Sequence, residues 1–584
     1  MAAKLEEFER AVYGRKREDK IAENDAATHA MLQCLVALRD GAGFEDHANL
    51  TPGNLSRFTS AVVALLTDPH YRLTQDGFNA LCSERAVLET AFTASPYGSA
   101  DWVFSLIQPD EAGVSKYLLL FSSNSKLNLD LEGVFKGDPQ ATIGLYLSLI
   151  SYAQVFTQEG DERRNKLIGM AHLFDNVVLP PQLFNTLTGA YMHVSYATCA
   201  NKHEPKRVFH KMLANMLQVE RPAFGPLERK DKPTIVIVFE WWWTKHAMYR
   251  SYAKSIRQLR SEFRLVGVCP GDNSDPEAKE MFDEWLVINN DPMCLTTFAN
   301  AIKEAKPDIV YYPSIGMAIW AIALASLRLA PIQVMTYGHP ATSNSPEIDY
   351  GIIEGDCYVE ECFSEKIIPL PPNVVRPTEY CSVEAKHAPR ATDTLKIAVA
   401  AMQVKVSWPF IRALREFQKK CTKRVEFYFF SAAHGVGLYS MANELAKLLD
   451  NVTVQEKQMY EHYMESLAEC DMALFSFPFG GANSVYDCMT LGLPMVSMEG
   501  NQPHERSDAS IFRRAGLPEW LIAHNEDEYV RALLRLSDDD VRSAVANQVG
   551  AIDVPAKFYT PDDSSAFVDA FKTIYNMNSL EKAA

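Results

Sequence analysis

Several features are scarce in this 584-residue chain, and each scarcity excludes a class of protein. Paired cysteines are missing. The eleven cysteines are odd in number and hold no C-x-x-C pair, which argues for reduced thiols and a cytoplasmic setting, against a disulfide framework or a zinc site. Positive charge is short: 57 Lys and Arg face 74 Asp and Glu, a net −17. Phosphate backbones and anionic membranes are recognised through an excess of cations, so general nucleic-acid or membrane binding is excluded and any phosphate must be held locally. Long apolar runs are also absent. The longest, Gly316 to Leu327, falls below the roughly 20 residues of a membrane span and reads as a buried helix. The first ten residues alternate charge around no apolar centre, so no secretory leader is expected.

Two motifs are missing as well. The first strand of the α/β region runs into Glu240-Trp-Trp-Trp243 where a dinucleotide-binding fold would carry G-x-G-x-x-G, which speaks against a nicotinamide or flavin cofactor. No convincing D-x-D stands at a strand end, so no metal is expected.

With 47% hydrophobic and 22% charged residues the chain is globular, and its length allows about three or four domains. Residues 1–228 show helical spacing, as in Ser60 to Leu66 and the apolar set around Leu145 to Val155, with prolines placed for first helical turns at Thr51-Pro52 and Asp138-Pro139. They predict an all-α domain without a 34-residue repeat. From Thr234 the pattern changes to short β-branched runs alternating with helices: Thr234 to Phe239, Phe263 to Cys269, Trp285 to Ile288, Asp308 to Tyr312 and Ile332 to Tyr337. Such runs predict a parallel sheet buried on both faces. A proline-rich stretch, Ile367 to Pro372, reads as an interdomain linker, after which the pattern restarts at Leu395 to Val399, Val425 to Phe430, Val452 to Val454, Met472 to Phe475 and Pro494 to Met498. The division is therefore a helical domain 1–228, a Rossmann-like domain 229–385 and a second one 386–584, with the carboxyl ends of both sheets facing a cleft.

The densest signal is Phe477-Pro-Phe-Gly-Gly-Ala-Asn-Ser-Val-Tyr-Asp487. A buried strand, a turn through Gly481 and a helix starting near Ala482 direct unpaired backbone N–H groups at one spot, an anion site. Asn483 and Asp487 lie one helical turn apart and share a face, so they can hold a polyol beside the anion. The same segment also reads as an ordinary βα turn.

Together with Glu240 to Arg250, Tyr337-Gly-His-Pro-Ala-Thr-Ser343, Ala401 to Lys405, Ser431 to Gly435 and Leu517-Pro-Glu-Trp-Leu-Ile-Ala523, this segment resembles the bacterial cytoplasmic N-glycosyltransferases that glucosylate high-molecular-weight adhesins, relatives of the O-GlcNAc transferases. The resemblance spans nearly the whole chain. It implies a GT-B fold, two Rossmann-like domains behind an all-α N-terminal domain, and inverting, metal-independent transfer of glucose from UDP-glucose to the asparagine of Asn-X-Ser/Thr in a polypeptide, an adhesin among them. It implies a donor pair, Asn483 and Asp487, for diphosphate and ribose, with Gly481 and Ala482 in the same turn. Lys405 matches the phosphate-binding lysine, a compact charge that offsets the negative charge on departing UDP. His246, at a helix start, matches a histidine near sugar and acceptor, and His339 faces the cleft from the turn where Gly338 lets the backbone approach a ligand.

Departures from the family pattern stand at Trp241, Met402 and Ala432, and His434 replaces an asparagine while still able to touch uracil or sugar. They leave the hexose open. His193 is a weak match to the family's peptide contacts. For each residue a plain structural role remains: a solvated loop lysine for Lys405, a helix-start residue for His246, a turn residue for His339, core packing for Trp241 to Trp243, of which at least one is expected to line the cleft. Rival functions are transfer to Ser/Thr or a small molecule, UDP-sugar epimerisation, and a non-catalytic helical scaffold.

Overall fold

The computed structural model describes residues 2–15, 21–40, 52–270, 273–288, 294–380, 383–560 and 564–580. Thr51 lies outside them.

Two wholly parallel sheets form the α/β part. The first contains β1 (Thr234–Val238), β2 (Arg264–Pro270), β3 (Glu284–Ile288), β4 (Ile309–Tyr312), β5 (Ile332–Thr336), β6 (Tyr350–Glu354) and β7 (Lys366–Leu370), in the order β3-β2-β1-β4-β5-β6-β7. The second contains β8 (Thr394–Val399), β9 (Arg424–Phe429), β10 (Val452–Val454), β11 (Met472–Leu474), β12 (Met495–Met498) and β13 (Ile522–Ala523), in the order β10-β9-β8-β11-β12-β13. In both, the order reverses beside the first strand, and at such a switch point a crevice opens beyond the strand ends. The expected strands are all present, to within a residue at most ends.

One expectation is corrected. Ile367 to Pro372 is not a free linker: Lys366–Leu370 is a strand, in register with Tyr350–Glu354. Pro369 is tolerated because β7 is the sheet's edge, where one side of the strand needs no ladder bond.

Before the sheets, the described residues of the N-terminal region are helical, from Ala2–Tyr13 to Glu204–Leu217. Helix Pro139–Ile150 starts as its sequence directs: Asp138 accepts from the Ala141 N–H at 2.9 Å, with Pro139 in the first turn. The apolar run Gly316 to Leu327 centres on the helix Ile319–Leu324, every residue of which is buried.

Alternation along the first sheet explains how the parts assemble. Val236 and Val238 of β1 point to one face, sharing a continuous apolar cluster with the helical region. Ile235 and Ile237 point to the other, where Phe567 and Phe571 of the C-terminal helix Ser565–Asn578 cover them. The chain's end thus returns to the first sheet, and Leu227–Glu228 pairs with Ser579–Leu580. The second sheet has its own core. A small cluster of Tyr196, Val404 and Phe479 joins the helical region to the second lobe at the cleft.

Candidate active site

A cavity of about 380 Å³ opens between the lobes and the helical region, within the range of small-ligand sites. Its lining includes Gly338 and His339 from the first lobe, and Lys405, Gly481, Ala482 and Asn483 from the second. Six of the residues singled out in the sequence therefore meet at one place. His246, His434 and Asp487 are not in that lining.

Lys405 ends a short 3-10 turn, Gln403–Lys405, beyond β8. Its Nζ donates to the Gly480 carbonyl at 2.6 Å and stands 4.8 Å from the centre of the Phe479 ring. Burial pulls the ammonium down to about 8, while the carboxylate of Asp508 opposes that shift. The side chain is half-buried and fixed, not a solvated loop lysine.

The turn before helix Asn483–Leu491 differs from the sequence expectation. Gly481 and Ala482 N–H groups, expected to await an anion, both donate to Asp508, each at 2.7 Å. Asp508, on helix Pro503–Ala515, is buried, and burial raises its pKa against the pull of those two amides and Lys405. Ser484 and Val485 N–H groups bond back to the Gly481 and Ala482 carbonyls at 3.4 and 3.0 Å. The open polar group here is the exposed Asn483 at the helix start. Ala482 has φ 49°, a left-handed value that costs a non-glycine residue about 1–3 kcal/mol and persists only where neighbours impose it. Asp508 imposes it.

Asp487 follows one turn later, where the Tyr460 hydroxyl donates to it at 2.7 Å. Burial raises its carboxyl to about 6, opposed by Tyr460, Arg250 and Tyr463. His339 is buried, its Nε2 2.9 Å from Ser195 Oγ of the helical region. Burial, then the positive charges of Lys206 and its neighbours, hold it well below the usual imidazole value, so it is neutral. The space that Gly338 leaves is not open to a ligand: a Cβ there would fall 2.2 Å from Met248 and 2.9 Å from the Pro313 carbonyl.

His246 caps helix Ala247–Leu259, accepting from the Met248 N–H at 3.3 Å, and burial lowers its pKa. Trp241 and Trp243 flank it, each with a ring-centre distance of 5.9 Å. Trp242 is fully buried, stacked on Phe239 at 4.0 Å, with its Nε1–H donating to the Ala278 carbonyl at 2.8 Å. The lining contains none of the three indoles, so the expectation that one lines the cleft is corrected for this cavity.

His434 is exposed beside Ala432 at the start of helix Gly435–Ala446. Met402, 49% exposed, does line the cavity. His193 lies against the Ser151 carbonyl, while its neighbours Met192 and Tyr196 reach the cavity.

Comparison with known proteins agrees with the resemblance read from the sequence. Residues 21–114 match the HMW1C N-terminal family and residues 132–217 match HMW1 domain 2. A UDP-glucose:protein N-beta-glucosyltransferase of Actinobacillus pleuropneumoniae serotype 5b is 29% identical over 517 residues, 83% of each chain. These matches make the chain similar to the HMW1C family models over its helical region and to a protein N-beta-glucosyltransferase over most of its length.

A probable UDP-N-acetylglucosamine–peptide N-acetylglucosaminyltransferase SPINDLY of Eustoma exaltatum is 26% identical over 262 residues, 41% of this chain and 27% of that one. An O-GlcNAc transferase variant from Thermobaculum terrenum has the same fold: TM-score 0.60 at 14% identity, over 94% of this chain and 98% of that one. The GT-B architecture of the chain, two Rossmann-like lobes behind a helical region, agrees with the sequence reading.

Asp508, Ser195 and Tyr460 were not singled out in the sequence, because each acts through a partner 26 or more positions away. Glu354, Asp356 and Cys357 are the one group among the described residues whose ligand atoms lie close enough for a metal. Arg514 spans the two carboxylates, donating to Asp356 Oδ2 at 2.8 Å and standing 2.7 Å from Glu354, so one of their two charges is already offset and both are engaged within the protein.

Proposed function

We propose that this glycosyltransferase moves a hexose, glucose foremost, from UDP-hexose to the side-chain amide of asparagine in Asn-X-Ser/Thr of a cytoplasmic polypeptide, an adhesin among the candidates, with inversion and without metal. The observation that carries the reading is the convergence of Lys405, Asn483 and His339 from both lobes on one cleft, in a chain similar to a UDP-glucose:protein N-beta-glucosyltransferase over 83% of its length. The diphosphate lies against Lys405 and Asn483, and ribose reaches toward Asp487. The C1–oxygen bond breaks with its electron pair leaving on UDP, a C1–nitrogen bond forms on the opposite face, and the amide releases one proton. Lys405 meets the charge as it develops, which stabilises the transition state more than the bound donor. His246 orients the acceptor amide at the cleft's edge, and His339 the sugar. His434 stands nearest the uracil side.

Incubating the protein with UDP-glucose and an Asn-X-Thr peptide, followed by intact mass, tests the reading. One added hexose that disappears when asparagine is replaced by glutamine is the expected result. UDP release without peptide modification, or modification at threonine, would overturn it.

A further inference from the structure

The capture of the Gly481 and Ala482 amides by Asp508 leaves a question that the transfer reaction does not answer: why a buried carboxylate fills the place where a diphosphate was expected. Four observations converge on it. Asp508 is 2% exposed and accepts both N–H bonds at 2.7 Å. Gly480 has no room for a side chain, since a Cβ would lie 2.4 Å from Asp508 Oδ2. The same Gly480 presents its carbonyl to Lys405 Nζ at 2.6 Å. Ala482, whose N–H the carboxylate holds, has a left-handed φ of 49°. Removing water from two opposite charges is costly unless each is paired and hydrogen-bonded, and this turn supplies the bonds for both.

We propose that Asp508 is a positioning residue for transfer: its carboxylate is the fixed counter-anion of Lys405 and clamps the Gly480–Asn483 turn that presents Lys405 and Asn483 to the donor diphosphate. The inference rests on the proposed function. It assigns the two amides to the protein's own carboxylate, leaving one ammonium and Asn483 for the diphosphate.

The groups facing Lys405 make Asp508 the source of its charge balance. His504, on the same helix as Asp508, and His339, after β5, lie near enough for the Lys405 charge to help depress both imidazoles, and both are neutral, well below the usual imidazole range, so neither sets a positive charge against Lys405. Phe479 lies beneath the ammonium, and Tyr196 stacks on that ring at 4.3 Å with its phenol raised by burial. Around Asp508 itself, burial lifts Tyr529 and Cys488 above their usual values, so neither competes as an anion near neutrality. Asp508 is the carboxylate that keeps Lys405 protonated.

Transfer to the Asn-X-Thr peptide and UDP affinity by calorimetry, measured from about pH 6 to 9.5, test this. In the wild type, turnover falls as pH rises through about 8, where Lys405 loses its proton. Asp508→Asn shifts that fall downward by at least one pH unit, a tenfold change in proton affinity. Its turnover near pH 6 stays about tenfold below the wild type, because the amide NH2 cannot accept the second of the two N–H bonds. Asp508→Glu keeps the charge but misplaces the bonds, so turnover drops about tenfold with the limb in place. An Asp508→Asn profile lowered equally at every pH, with an unmoved limb, overturns the inference. Should Asp508→Asn fail to fold, Asp508→Glu decides, and a displaced limb there overturns it. A wild type that neither binds UDP nor transfers hexose overturns the proposed function and this inference with it, whereas an active wild type with the wrong limb behaviour overturns the inference alone.

Discussion

At the scale of single residues, two ionisable groups of the proposed mechanism are shifted from their ordinary values. Lys405 is pulled down from its ordinary 10.5 to about 8 chiefly by burial. A depressed lysine costs stability while it is charged. Because the folded form gives up its proton before the unfolded chain does, stability rises with pH between about 8 and 10, whereas an activity that needs the ammonium falls through the same interval. Lys405→Ala should therefore lower kcat by about 10²- to 10³-fold, the usual effect of removing one transition-state charge partner, with donor KM within a few-fold. Steady-state kinetics on both substrates reads the split, and normal kcat would contradict the assignment. Asp487 shifts the other way, raised to about 6. Its folded form takes up a proton before the unfolded chain, so stability falls as pH rises from about 4 to 6, and the carboxylate available to ribose hydroxyls is lost below about 6. UDP should then bind more weakly at pH 5 than at pH 7, and Asp487→Asn should flatten that dependence in calorimetry.

At the scale of elements, most strands announce themselves through β-branched runs such as Thr-Ile-Val-Ile-Val, since a strand buried on both faces needs no polar alternation, while Tyr350–Glu354 escapes the sequence reading. Lys366–Leu370 stayed hidden because prolines at 369, 371 and 372 carry the composition of a linker, and only the edge position makes Pro369 acceptable. Ile522–Ala523 is too short to leave a pattern. The turn at Phe477 to Asn483 was legible as a strand-to-helix junction, from its glycines and the helical spacing beyond. Its occupancy was not, because the carboxylate that fills it comes from the next helix, 26 residues away, and spacing carries no tertiary information. Gly480 is where this element is most brittle. Gly480→Ala would place a methyl 2.4 Å from the Asp508 carboxylate, and overpacking of this kind costs about 1–3 kcal/mol. A lowered melting temperature together with weaker UDP binding is the expected pair of results, and loss of neither would mean that Asp508 is free to move.

At the scale of the molecule, the helical region is continuous with the first lobe, not an appendage to it. Leu5, Phe58, Leu145 and Leu213 belong to the same apolar cluster as Val236, Val238 and Tyr312. Gln154 of this region also reaches the second lobe, donating to Gln403 at the start of the Lys405 turn at 3.0 Å and accepting from Ser440 at 2.7 Å. Deleting residues 1–217 should leave the sheet face of Val236 and Val238 uncovered, and such a patch drives aggregation. The truncated protein is expected to be insoluble or to elute as large aggregates in size-exclusion chromatography. A monomeric, UDP-binding truncation would show the helical region to be dispensable for folding.

The return of the final helix to the first sheet has a mechanical consequence. The chain runs between the lobes twice, once ahead of β8 and once before Ser565, and Arg376 near the first passage donates to the Thr560 carbonyl near the second at 2.9 Å. Any separation of the lobes therefore strains two connections at once, where a chain ending in the second lobe would strain one.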